Sequence, residues 1–188
     1  MLVTCGGTAK APRTASLPPD YVPLPAGQGA RYHLPAISPA VAARRPIAGL
    51  ACRQRGGRPS YAIHLELYAN HRVLPVPAGI GIAPPQQRQG AYVRAGACVY
   101  AIRTYEPTGV VVVTPGPAAT LGTLFAVWGQ PLTGRRLGGF GGPVRAFLGG
   151  RPWRGSPAGI PLARHAEIVL DVGRPVPPHR SYLFPPGL

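Results

Sequence analysis

Four consecutive valines, Val110–Val113, follow Gly109 and end at Thr114. A run of β-branched residues with no polar position suits an extended strand that is buried on both faces. Upstream, Cys98–Ile102 is a short apolar run that ends in the polar stretch Arg103-Thr-Tyr-Glu-Pro-Thr108. Cys98–Thr114 therefore reads as two β-strands joined by an exposed tip, with Gly109 at the turn into the second strand. The rest of the chain agrees with a strand-based fold. Its 26 glycines and 26 prolines disfavour helix interiors, so it cannot be mostly helical. The expected class is α+β and β-rich: short antiparallel strands and hairpins with one main helix.

Residues 1–50 lack any period of 2 or 3.6 and are rich in proline, glycine and small residues. They read as a tail or tether, with a single β-rich domain over 51–188. Tyr61–Ala69 alternates cleanly: Tyr61, Ile63, Leu65, Leu67 and Ala69 share one face, and Ala62, His64, Glu66 and Tyr68 share the other. Asn70-His71 is a two-residue turn, and Arg72–Val76 returns as an edge strand because it contains Pro75. The segment 120–129 is the main helix. Thr120 caps it, Leu121, Leu124, Phe125 and Trp128 form its apolar stripe, Gly129 ends it and Pro131 blocks its continuation. A second hairpin turns at Gly149-Gly150, and His165–Gly173 contains a last strand in which Glu167, Val169 and Asp171 alternate with Ala166, Ile168 and Leu170. The C-terminal Tyr182, Leu183 and Phe184 are expected to dock an extended segment. The two hairpins are each followed by Pro-Ala-Gly-Ile (77–80 and 157–160), an echo that suggests two related lobes.

The formal net charge is +15, from 20 basic residues against five acidic ones, and every basic residue but Lys10 is arginine. Such a balance points to an acidic protein partner, a membrane-associated complex, an anionic membrane surface or another polyanion. Nucleic acid is the weaker alternative, because no arginine run is interleaved with aromatics as a stacking platform would be.

Cys5, Cys52 and Cys98 show no Cys-x-x-Cys spacing. Cys52 and Cys98 each lie beside an expected strand, and pairing them leaves Cys5 for a separate role; the alternative is two buried free thiols. Leu2-Val3-Thr4-Cys5-Gly6-Gly7 is similar to the end of a bacterial lipoprotein signal, which would make Cys5 a lipid anchor. A disulfide and an anchor together imply an extracytoplasmic location, secreted or held at a membrane through the N-terminus.

Catalysis finds little support. There is no Gly-x-Ser-x-Gly elbow, no paired-carboxylate motif and no phosphate loop, so the expectation is a non-enzyme without a cofactor. Metal binding has one opening. His64 and Glu66 share a strand face, so with a third donor they could hold copper or zinc. The third donor would come from the next strand; His64 and His71 flank one hairpin, whereas His33, His165 and His179 are far apart in sequence.

Several stretches resemble a bacterial family of secreted or membrane-anchored proteins of unknown function. They are HLELYANHR (64–72), PAGIGI (77–82), Cys98, TGVVVV (108–113), TLGTLFAVWG (120–129), LARHAEIVLDVG (162–173) and YLFPPGL (182–188). The family pattern has a His-x-His-x-His-Leu strand and a Leu-His-Thr-His-Asp segment, whose histidines look like transition-metal ligands. Here Ser60 and Ala62 replace the first two histidines and leave His64. Arg103 and Tyr105 stand for the next two, Glu106 for the aspartate, and Val112 for a later histidine. The resemblance thus implies a retained scaffold with its metal loop rewritten, and Arg103, Tyr105 and Glu106 as residues for contacting a partner. The resulting expectation is a non-catalytic accessory or binding domain. The alternatives are a residual copper or zinc binder using His64, Glu66 and Glu106, with His71 or His165, and a polyanion- or nucleic-acid-binding protein.

Overall fold

The structure is a computed structural model that describes residues 24–54, 61–114 and 119–188. Cys5 and its expected anchor role lie outside the described residues.

A seven-stranded sheet dominates the molecule. Its strands are β1 (Tyr61–Ala69), β2 (Arg72–Val73), β5 (Ile102–Arg103), β6 (Val110–Val113), β10 (Val144–Leu148), β11 (Arg151–Pro152) and β12 (Glu167–Val172). The order is β11-β10-β12-β1-β6-β5, with β2 paired to one end of β1. Most neighbours run antiparallel, but β1 and β12 pair in parallel from His64–Glu167 to Ala69–Val172. Two small sheets complete the β structure. One is β3 (Gln87–Gln89) with β4 (Tyr92–Ala95), and the other joins β7 (Leu132–Thr133), β8 (Arg136–Leu137) and β9 (Phe140–Gly141). The β-rich α+β class and its short hairpins are as the sequence indicates.

One sheet face is apolar. Ile63, Leu65, Leu67 and Ala69 of β1 lie with Ile168, Leu170 and Val172 of β12, Val111 and Val113 of β6, and Ile102 of β5 in one buried cluster. The helix α2 (Leu121–Trp128) adds Leu121, Leu124, Phe125, Val127 and Trp128 to that cluster. Burying five such side chains contributes on the order of 10 kcal/mol before conformational entropy is subtracted. Thr120 and Thr123 form a reciprocal capping box at the start of α2, and Gly129 closes it in the left-handed region at φ 73°.

Both hairpin turns follow their sequence signals. Asn70 and His71 have φ of 54° and 63°, and Gly149 and Gly150 have 57° and 73°. Positive φ at both central positions matches the twist of the flanking strands. The repeated Pro-Ala-Gly-Ile segments each bury their isoleucine, Ile80 and Ile160. The hairpins nevertheless join one sheet over one core, so the echo is local and does not mark two lobes. The edge expected at Arg72–Val76 is partly covered: Val73 donates to the Pro25 carbonyl and accepts from Gly27 N–H.

Residues from Leu24 to Leu50 belong to the folded domain and are not a free tether. Val41, Ile47 and Leu50 are buried in the core. Ser38 caps the short helix α1 (Pro39–Ala42) and its hydroxyl also donates to the Val127 carbonyl, while Trp128 Nε1 donates to the Pro35 carbonyl. Proline and glycine hide this order from any periodicity argument, because side chains anchor the segment one at a time. Cys52 and Cys98 are joined by the expected disulfide, beside a two-way backbone bridge between Arg53 and Val99.

Candidate functional site

The second face of the sheet carries the polar chemistry. On β1 it presents His64, Glu66 and Tyr68. The parallel register sets His64 against Glu167, Glu66 against Val169 and Tyr68 against Asp171. On the far side of β12, Arg145 of β10 lies opposite Asp171.

His64 is buried, and both of its ring nitrogens are engaged. Nε2 lies 3.0 Å from the Thr108 carbonyl oxygen, which can only accept, so Nε2 carries a hydrogen. Nδ1 faces the Glu167 carboxylate at 2.9 and 3.1 Å. One proton therefore lies between Nδ1 and the carboxylate: on nitrogen the pair is imidazolium–carboxylate, on oxygen it is neutral. Burial holds the Glu167 carboxyl above the usual range, and the hydrogen bond and charge of His64 offset this only in part. Gly109 makes this arrangement possible. At φ 81° it brings its backbone against β1, and a Cβ there would meet the Leu65 carbonyl at 2.5 Å and His64 Nε2 at 3.0 Å.

Glu66 is half-buried next to this pair. It accepts from Tyr68 Oη at 2.9 Å and from His179 Nδ1 at 2.7 and 2.8 Å, and its Oε1 lies 4.0 Å from His64 Nδ1. His179 comes from the C-terminal segment, which crosses this face in extended form. In that segment Val176 packs with Tyr68 and Val169, and Tyr182 stacks on His64 with ring centroids 3.8 Å apart. Phe184 stacks on His165, but Leu183 is 89% exposed and does not dock as expected. A cavity of about 370 Å³ opens beside the cluster, lined in part by His64, Glu66, Thr108, Gly109 and His179.

Asp171 forms a second polar knot. Its Oδ2 accepts from Arg145 Nε and Nη2 and from Val176 N–H, while its buried Oδ1 has no partner among the described residues.

The structure gives the three residues that sequence reasoning grouped in the tip different degrees of burial. Arg103 is 1% exposed and turned inward, so it is not a contact residue. Its guanidinium donates to Tyr105 Oη, the Tyr100 carbonyl and Thr114 Oγ1. Polar acceptors on three sides satisfy a group that would otherwise be costly to bury. Tyr105 is half-buried and stacked on Tyr92. Glu106 is exposed and shares a groove with Tyr92, Arg94 and Tyr105.

The candidate ligand set changes in the same way. His64, Glu66 and Glu167 are the described group whose donor atoms lie within 4.8 Å of one another. Glu106 is not in that group. His71 sits in the hairpin turn at the far end of β1, and His165 Nε2 lies 2.6 Å from the Leu188 carbonyl oxygen. Glu167 and His179 were missed because only the parallel pairing brings Glu167 to His64, and only the path of the C-terminal segment brings His179 to Glu66.

No family model matches the chain, and no curated protein or solved structure shows significant similarity to it. Among the described residues, no helix is long and apolar enough to cross a membrane. The intramolecular disulfide fits an extracytoplasmic location.

Proposed function

We propose that this is a non-catalytic accessory domain that presents an arginine surface to an acidic protein partner outside the cytoplasm. The observation that carries this reading is how its charges are sorted. Of the sixteen described arginines, fourteen are exposed; Arg103 is buried and Arg145 half-buried. Of the four described carboxylates, only Glu106 is exposed. Glu66, Glu167 and Asp171 are drawn into the sheet face by His179, His64 and Arg145. The surface field is therefore more one-sided than the net charge conveys, and it favours fast encounter with an acidic surface. The anchor at Cys5 and a membrane-associated assembly are the finer parts of the same proposal.

Fluorescence anisotropy with a labelled polyglutamate chain tests it, with single-stranded DNA of matched length run in parallel. The expected outcome is binding to polyglutamate that weakens steeply between 50 and 300 mM salt, on the order of tenfold or more for several ion contacts. Affinity that does not respond to salt would sink the electrostatic reading. Clearly tighter binding to DNA at equal charge would move the assignment to nucleic acid.

A further inference from the structure

We propose that His64, Glu66 and Glu167, completed by His179, form a binding site for one divalent transition-metal ion of the zinc class. The ligand set differs from the one the sequence suggested, since it takes Glu167 and His179 in place of Glu106 and His71.

The geometry of His64 carries the argument. Its Nε2–H is tied to the Thr108 carbonyl at 3.0 Å, which fixes the ring and turns Nδ1 toward two carboxylates. A metal-bound imidazole is commonly oriented in this way, with its other nitrogen donating to a backbone carbonyl. The Nδ1 lone pair and the Glu167 oxygens are both acceptors, so something positive has to lie between them. A proton does this for one pair. A divalent ion would do it for Nδ1, Glu167 and Glu66 together, and would balance both carboxylate charges.

The dimensions are compatible. Donor atoms in a tetrahedral zinc shell at roughly 2.0–2.2 Å from the ion stand about 3.4 Å apart. Here His64 Nδ1 is 2.9 Å from Glu167 and 4.0 Å from Glu66, and all three donors lie within 4.8 Å of one another, so shifts of about 1 Å would bring these three to one ion. His179 Nδ1 lies against both oxygens of Glu66, outside the three-donor group, and would complete the shell by turning in beside that carboxylate. Tyr68 Oη donates to Glu66 Oε2 and would hold that carboxylate in place. The adjoining cavity of about 370 Å³ gives an ion a way in. Two imidazoles with two carboxylates suit zinc, cobalt(II) or copper(II), whereas calcium and magnesium prefer all-oxygen shells.

His179 also gives the ion a structural consequence. It lies in the C-terminal segment, so metal binding would fasten that segment to β1 and β12.

The test uses the full chain, tag-free and stripped of metal, in a Cys5→Ser background so that a free thiol contributes nothing. Zinc is titrated by calorimetry, and cobalt(II) is followed by its visible absorption. The expected result is one zinc per chain, a four-coordinate cobalt spectrum, and no comparable binding of calcium or magnesium. Glu167→Gln should abolish binding. His179→Ala, outside the core strands, should weaken binding at least about tenfold while the far-ultraviolet spectrum is unchanged. Zinc well below one per chain would overturn the proposal, as would stoichiometric binding that neither substitution alters. The polyglutamate assay does not involve these residues, so the two proposals fail separately.

Discussion

Tyr100 shows how a single side chain couples the core to pH. Its ring is fully buried and its hydroxyl donates to the Arg45 carbonyl at 2.6 Å. Burial raises its pKa above the ordinary 10.0, because a phenolate there would lose water and its donated hydrogen bond. The sign follows from linkage: a folded-state pKa above the unfolded one gives stability that is full below pH 10 and is lost as pH rises through the folded value. Thermal melts between pH 8 and 11 should therefore fall off at the alkaline end. Tyr100→Phe should flatten that fall while costing about 1 kcal/mol at neutral pH for the missing hydrogen bond. An alkaline limb as steep as in the parent would refute the assignment. Arg103 teaches a related lesson. A charged residue in a polar stretch reads as exposed, but three nearby acceptors let this one be buried, and nothing in linear sequence locates those acceptors.

At the scale of elements, the strands and the helix were legible where periodicity and turn chemistry agree. Tyr61–Ala69 and Val110–Val113 are strands over the expected residues, and α2 begins and ends at the caps its sequence carries. The glycine-rich bend at 134–142 was not legible as β8 and β9, because two-residue strands are too short to show a period. The disulfide was legible from strand proximity and cysteine count, and it fastens the residues ahead of β1 to the approach to β5. It closes a loop with a sequence separation of 46, which in the chain-entropy model corresponds to about 4 kcal/mol. Cys98→Ser should lower stability by that order in urea unfolding, and reduction of the parent should reproduce most of the loss. Reduction without effect on the midpoint would mean that the cross-link does not constrain the unfolded chain.

Across the whole molecule, the sheet divides the protein into two unlike halves. One face is sealed by α2 and an apolar cluster; the other mixes the His64, Glu66, Glu167 and Asp171 side chains with valines and is crossed by the C-terminal segment. The alternation along β1 and β12 announced a polar face on each strand. The pairing that joins those faces was hidden, since parallel partners distant in sequence leave no local mark. The two coverings also differ in how they are held. The core strands are hydrogen-bonded on both sides, whereas side chains do much of the holding of the C-terminal segment. Among them are His179 on Glu66, Tyr182 stacked on His64 and Phe184 stacked on His165. Such a segment should open well below the free energy of global unfolding. Hydrogen exchange should therefore show amides of 177–187 exchanging at least about a hundredfold faster than those of β1 and β12, which corresponds to an opening energy about 3 kcal/mol lower. Protection of the segment equal to that of β1 would show that the polar face and its cover unfold as one unit with the core.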